Sequence, residues 1–300
     1  MDISKKSGLV RIKGMIKTTV EVDGFEGIFF PVSEKKDKVV IVVSGSNGGM
    51  SLTKKCAEFY YKNGIAALAV AIFKTKGTQK NLDRVPIEFI ESAVKWLKVH
   101  GYEKIGIDGT SKGSEIALLS ATMFRDLSCV IARVPSYFVS EGLIVHGKTK
   151  KPSGTSCWSY NGEEIPYAHY NSRKFNLPQI ILKEKELHLI TINREKTVTE
   201  DTVIPIEKIN GPILFLSSVN DAVWPSYESS LYMEKRLKEK SFSYPYKHIA
   251  FQNISHAMLT EISIIYKLAF KSERQNADQC AQERKQLADE LLNWIENVWN

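Results

Sequence analysis

Five short runs in this chain carry apolar residues at nearly every position: "KVVIVVS" (38–44), "IAALAV" (65–70), "KIGIDG" (104–109), "CVIARV" (129–134) and "PILFLSS" (212–218). A strand with one wet face alternates apolar and polar residues, so a continuous run marks a strand covered on both sides. Segments of helical period lie between them. One runs through Tyr61 and is stopped by Asn63-Gly64. A second opens at Pro86, puts Ile90, Ala93, Val94 and Leu97 on one face, and ends at Gly101. A third, "SEIALLSATMF", is almost wholly apolar. A helix near 226–239, the strand "YKHIAF" and a long amphipathic helix over roughly 277–299 complete the series. Strand and helix in alternation predict an α/β fold: a mostly parallel central sheet with helices on both faces.

Two segments depart from that rhythm. "IKTTVEV" and "FEGIFFP" predict an N-terminal β-hairpin within residues 1–37, turning at Asp23-Gly24. Residues 135–210 predict an irregular, lid-like insertion between two sheet strands, rich in Lys, Ser, Gly, Trp and Tyr. The 300 residues read as one domain with both features attached.

Composition narrows the function classes. The net charge is +7, but the lysines are spread along the chain beside glutamates, as in "LKEKEL" and "MEKRLKEK". That pattern predicts a solvated surface rather than a nucleic-acid interface. No stretch is long and apolar enough to predict a membrane span. Cys56, Cys129, Cys157 and Cys280 are scattered with no C-x-x-C, which predicts buried thiols, no metal site and a reducing, cytoplasmic setting. No cofactor is called for. Gly142 to Thr149 matches the P-loop pattern, yet "KKPSGTS" follows where a helix is required, and Leu143-Ile144-Val145-His146 is too bulky to cradle phosphate.

Gly109-Thr110-Ser111-Lys112-Gly113 matches G-x-S-x-G, a weak pattern alone. Here it joins a buried strand to a buried helix, the context of a nucleophile elbow in an α/β-hydrolase fold. The triad order in that fold is Ser, then Asp or Glu, then His. Asp221 follows the strand 212–218 and His256 follows the strand 245–251, each in a post-strand loop. Ser111, Asp221 and His256 are therefore the candidate nucleophile, acid and base, with Glu228 as the rival acid. The other five histidines fall on helix ends, in the insertion or inside a strand. The backbone N–H groups of Lys112 and Ser46 are the candidate oxyanion donors, Ser46 from the loop "SGSNGG". The Lys112 side chain reads as solvated.

"GTSKGSE" resembles the S-K-G-x-E elbow of the acyl-CoA thioester hydrolase and bile acid-CoA:amino acid N-acyltransferase proteins, in their dienelactone-hydrolase-like C-terminal domain. The likeness continues through "PSYFVSEG" (135–142), "CWSYNG" (157–162), "NDAVWPS" (220–226) and Ser255-His256. It implies Ser111 as nucleophile, Asp221 as acid and His256 as base. Long members of that family carry an N-terminal β-sandwich where this sequence has a hairpin, and Ser255 stands at a position usually glycine. The amino-acid-conjugating members resemble one another in using cysteine as nucleophile, so Ser111 implies hydrolysis.

The expectation is a serine hydrolase acting on acyl thioesters, most simply an acyl-CoA thioesterase. Its rivals are a carboxylesterase on oxygen esters, an N-acyltransferase and a catalytically silent binding protein of the same fold. Within the insertion, Phe138, Trp158, Tyr160, Tyr167 and Tyr170 supply an apolar inner face for an acyl chain. Lys148, Lys150, Lys151 and Arg173 supply cations for phosphates, with 148–151 at the entrance. Of these, Trp158, Tyr160, Lys148, Lys150 and Lys151 are the substrate-binding candidates. The sequence leaves the oligomeric state open.

Overall fold

Strands apolar on both sides need cover on both faces, and the computed structural model supplies it. It describes residues 10–12, 14–32, 37–146, 149–170, 197–223 and 225–300. The N-terminal part runs β1 (Val10–Ile12), β2 (Met15–Thr18), α1 (Val20–Asp23) and β3 (Glu26–Phe30). The alternating unit follows as β4 (Lys38–Val43), α2 (Ser51–Lys62), β5 (Ala66–Ala71), β6 (Val85–Pro86), α3 (Glu88–Val99), β7 (Lys104–Thr110), α4 (Lys112–Met123) and β8 (Leu127–Arg133). After the insertion come β13 (Ile213–Ser218), α5 (Ser226–Glu239), β14 (Tyr246–Phe251), α6 (Ile264–Ala269), α7 (Lys271–Gln275) and α8 (Ala277–Asn293).

Among the described residues the main sheet has nine strands in the order β1-β2-β3-β5-β4-β7-β8-β13-β14. From β5 to β14 every neighbouring pair is parallel. Alternate residues of one strand face different cores, as the two-residue period of a strand requires. Val39, Ile41 and Val43 join the core beneath α3, α4 and α5. Val40 and Val42 join the one beneath α2 and α8. This is an α/β-hydrolase fold, and the expected sheet and its two helical layers are present.

Three local expectations differ. The N-terminal strands pair antiparallel, but not around a tight Asp23-Gly24 turn: Val20–Asp23 is one helical turn, and Gly24 ends it at φ 80°. A left-handed glycine after a helix terminates it as readily as it turns a hairpin. β3 then pairs with β5, so the hairpin extends the main sheet. Pro86 lies in β6, paired with the insertion, and α3 starts at Glu88. The described part of the insertion is not irregular. It forms antiparallel β9 (Glu141–His146) with β10 (Thr149–Ser156), and β11 (Trp158–Tyr160) with β12 (Glu163–Glu164). Leu143 to Val145 pair as β-strand, the reverse of a phosphate loop. Among the described residues, no helix is long and apolar enough to cross a membrane.

Candidate active site

In a parallel sheet the C-terminal strand ends share one edge, where loops can converge. Ser46, Ser111, Asp221 and His256 follow β4, β7, β13 and β14 and meet there. Ser111 sits between β7 and α4 at φ 58°, ψ −118°, a conformation a side-chain-bearing residue adopts only when its surroundings impose it. The flanking glycines explain how that is tolerated. A Cβ on Gly109 would run into the Gly113 carbonyl, and one on Gly113 would stand 2.5 Å from the Val43 oxygen. The turn is pinned further by Ser111 N–H donating to the Arg133 carbonyl at 2.9 Å.

A relay leads away from Ser111 Oγ. His256 Nε2 lies 2.9 Å from it, and His256 Nδ1 lies 2.9 and 2.8 Å from the two Asp221 oxygens. The Asp221 carboxylate is buried and also accepts from Ser226 Oγ at 2.7 Å and Val223 N–H at 3.0 Å. It is Asp221, not Glu228, that meets the histidine, since Glu228 is exposed in the first turn of α5.

Buried ion pairs brace this edge. Arg133, on β8, pairs with Asp108 on β7 and donates to the carbonyl of Met258 at 3.3 Å. Tyr60 on α2 donates to the same aspartate at 2.6 Å. Ser255, beside the histidine, donates from N–H and Oγ to Glu273, which is paired with Arg284. Glu283 accepts the N–H groups of Asn253 and Ile254 at 2.9 and 2.8 Å. The His256 loop is thus clamped by α7 and α8. Sequence reasoning missed these groups, although Asp108 and Arg133 each interrupt an otherwise apolar strand. A charge inside a buried run needs a partner, and that was the available signal.

Lys112 requires a correction. Its side chain is not solvated: it is 5% exposed and its Nζ lies 3.0 Å from Glu115 Oε2, with Ser140 Oγ a second partner. Burial alone would depress its ammonium, but the Cys157 sulfur and the Glu115 carboxylate outweigh that and hold it above the ordinary lysine range. Glu115 also accepts Ser140 N–H at 2.9 Å and the Trp158 indole N–H at 2.8 Å. The K-x-x-E half of the elbow therefore ties α4 to the insertion. Two opposite charges three residues apart at the head of an almost wholly apolar helix are the sequence signal of such a buried pair.

The other expected substrate residues divide. Trp158 is fully buried, its indole spent on Glu115, so it supports the site from behind rather than lining it. Tyr160 packs edge-on against Phe124, at the far end of α4, about 18 Å from the elbow at 1.5 Å per helical residue. Neither forms the wall expected of it. Lys150 does reach the site, donating to the Ser46 carbonyl at 2.6 Å. Lys151, one residue along β10, faces the other side of its hairpin. Lys148, Arg173 and Trp224 lie outside the described residues. Gly45, before Ser46, abuts Ser111: a Cβ there would lie 3.0 Å from Ser111 Cβ. The cysteines are free thiols, and burial pushes Cys157 up to about 12. Among the described residues no three metal-binding side chains cluster.

Comparisons agree with this architecture. An α/β hydrolase from Penicillium sp. sh18 superposes with a TM-score of 0.53 at 13% identity, covering 94% of this chain and 96% of its own. A proposed dienelactone hydrolase from Klebsiella pneumoniae gives 0.55 at 14%, covering 91% and 93%. In sequence the chain is 26% identical over 204 residues to the peroxisomal succinyl-coenzyme A thioesterase of Mus musculus, covering 66% of this chain and 44% of that one. It is 25% identical over 214 residues to the mitochondrial acyl-coenzyme A thioesterase 2 of Rattus norvegicus, covering 70% and 43%. The chain spans less than half the length of these relatives. The family model of the BAAT / acyl-CoA thioester hydrolase C terminal matches residues 85–261. The chain belongs to that family.

Proposed function

We propose that this protein is a serine hydrolase of acyl thioesters, with coenzyme A thioesters as its substrate class. The observation that carries the reading is the unbroken contact from Ser111 Oγ through the His256 ring to the Asp221 carboxylate. In this reading Ser111 Oγ attacks the thioester carbonyl carbon and its proton passes to His256 Nε2. The imidazolium so formed is stabilised by Asp221. The C–S bond breaks, His256 returns the proton to the leaving sulfur, and an acyl ester remains on Ser111. Water then attacks that ester with His256 again as base, releasing the acid. The backbone N–H groups of Lys112 and Ser46 serve as oxyanion donors. Ser46 fits that role because its loop abuts Ser111, and Lys112 because it is the first residue of α4, where backbone N–H groups face outward. Relatives that are acyl-CoA thioesterases support the thioester as substrate. Four free thiols, three of them buried, fit a reducing compartment, the cytoplasm in our reading, although the two named relatives are peroxisomal and mitochondrial.

A fluorophosphonate probe tests the chemistry and a paired substrate screen tests the class. The expected result is covalent labelling at Ser111, abolished by Ser111→Ala, with acyl-CoA turned over more efficiently than p-nitrophenyl esters of the same acyl chain. Labelling with the opposite preference makes the protein a carboxylesterase. Acyl transfer to an added amino acid in preference to water makes it an N-acyltransferase, and no labelling leaves a binding protein of this fold.

A further inference from the structure

Resting on the thioester reading, we propose that Lys74 and Lys150 form an anion site at the rim of the candidate active site, which takes a phosphate of a nucleotide-bearing thiol leaving group. Both lysines border the loop that follows β4. Lys150 reaches it from the insertion and donates to the Ser46 carbonyl at 2.6 Å. Lys74 borders it through the main chain: Gly49 N–H donates to the Phe73 carbonyl at 2.9 Å, and a Cβ on Gly49 would lie 3.8 Å from the Lys74 oxygen. Lys74 is held there at φ 63°, with its N–H donating to the Gln79 carbonyl at 2.7 Å. Neither ammonium meets a carboxylate among the described residues.

This arrangement is costly without an anion. Burial first, and the charge of Lys74 second, hold the Lys150 ammonium below the ordinary lysine range. Surface lysines normally avoid both burdens by standing in water or beside a glutamate, as Lys95 does with Glu91 in α3. An ammonium has three donors, and the Ser46 carbonyl takes one from Lys150. A phosphate oxygen placed between the two lysines would accept the remaining donors and cancel the repulsion. In a coenzyme A thioester the phosphates all lie on the thiol side, so a phosphate held here belongs to the part of the substrate that leaves. The pair keeps Lys150 from the expected run at 148–151 and adds Lys74 from a separate element.

The test compares an acyl-CoA with the same acyl thioester of pantetheine, which lacks the phosphates, as a ratio of kcat/KM. Lys150→Met with Lys74→Met is expected to lower that ratio by roughly 10-fold or more, as loss of charge-assisted contacts requires. Lys150→Arg with Lys74→Arg is expected to retain most of it. Equal losses on both thioesters would mean that Lys150 acts only through the Ser46 loop, and no loss on either would leave both lysines as surface; either overturns the site. Lys74→Glu, at an exposed position, covers the case in which the double methionine variant does not fold. Calorimetric binding of coenzyme A to Ser111→Ala protein separates the site from the chemistry. Weakening by Lys74→Glu supports the site even if neither thioester is hydrolysed by the wild type, and absence of binding overturns it.

Discussion

Ser111 shows how one residue takes its conformation from its neighbours. Its φ of 58° is sustained by two glycines and one main-chain hydrogen bond, so its conformation belongs to the junction as a whole. Ser111→Ala is expected to keep the fold and lower kcat by at least about 10³, as removal of a nucleophile does. His256→Ala should fall to a similar floor, and the double variant should fall no further, because the two act as a unit. Additive losses in that kinetic cycle would contradict the relay. Ser226→Ala tests the support of the acid. Removing its 2.7 Å bond to Asp221 is expected to cost about 1 kcal/mol, roughly fivefold in kcat with KM unchanged. The thiols make a negative control. Burial pushes Cys56 up to about 11 and Cys157 up to about 12. At pH 8 their thiolate fractions are then on the order of 10⁻³ and 10⁻⁴. Iodoacetamide at that pH should leave activity intact over a period in which a fluorophosphonate abolishes it; inhibition by the alkylating agent would show a reactive cysteine instead.

At the scale of elements, α4 does two jobs at its first turn. It follows the candidate nucleophile Ser111, and through Lys112 and Glu115 it holds Ser140 and Trp158 beside the elbow. Removing one member of a buried ion pair strands the other, at about 3–5 kcal/mol. Lys112→Met and Glu115→Gln are each expected to shift the urea midpoint strongly downward. The pair Lys112→Met with Glu115→Leu should recover part of that loss, because no charge is left unpaired. If each single variant were as stable as the wild type, the pair would not be what fastens the insertion. This contact also shows why the lysine was misread. In "SKGSE" its spacing from the glutamate was visible, but a helix that begins beneath an insertion looks in sequence like a helix that begins in water.

Across the whole molecule, two cores share one sheet, and the second is completed by the C-terminal helix. Trp299 is buried against Gly106 of β7, where a Cβ would stand 3.1 Å from its ring, and its indole N–H donates to Ser128 Oγ at 3.1 Å. Trp299→Ala should therefore cost about 3–5 kcal/mol, read from guanidinium unfolding. A surface-like effect below about 0.5 kcal/mol would place the residue outside the core.

What the chain carried in one dimension was whatever depends on local periodicity and order. The β13 and β14 positions, α5, and the placement of Ser111, Asp221 and His256 just beyond strands were legible because a strand's end, and the loop after it, are local properties. Strand order was not local. Nothing in "FEGIFFP" distinguishes a free hairpin from one that pairs with β5, because pairing is chosen by distant backbone groups seeking partners. Only the tertiary structure decided which polar groups are buried. Asp108 meets Arg133 across 25 residues and Trp158 meets Glu115 across 43, contacts set by the convergence of elements rather than by spacing along any one of them. The described part of the insertion was legible as an interruption and illegible as two hairpins, since β10 (TKKPSGTS) lacks apolar alternation and β11 and β12 are only three and two residues long. Each hairpin pairs locally, but β11 is fixed by β6 and Leu143 by Leu82, partners distant in sequence.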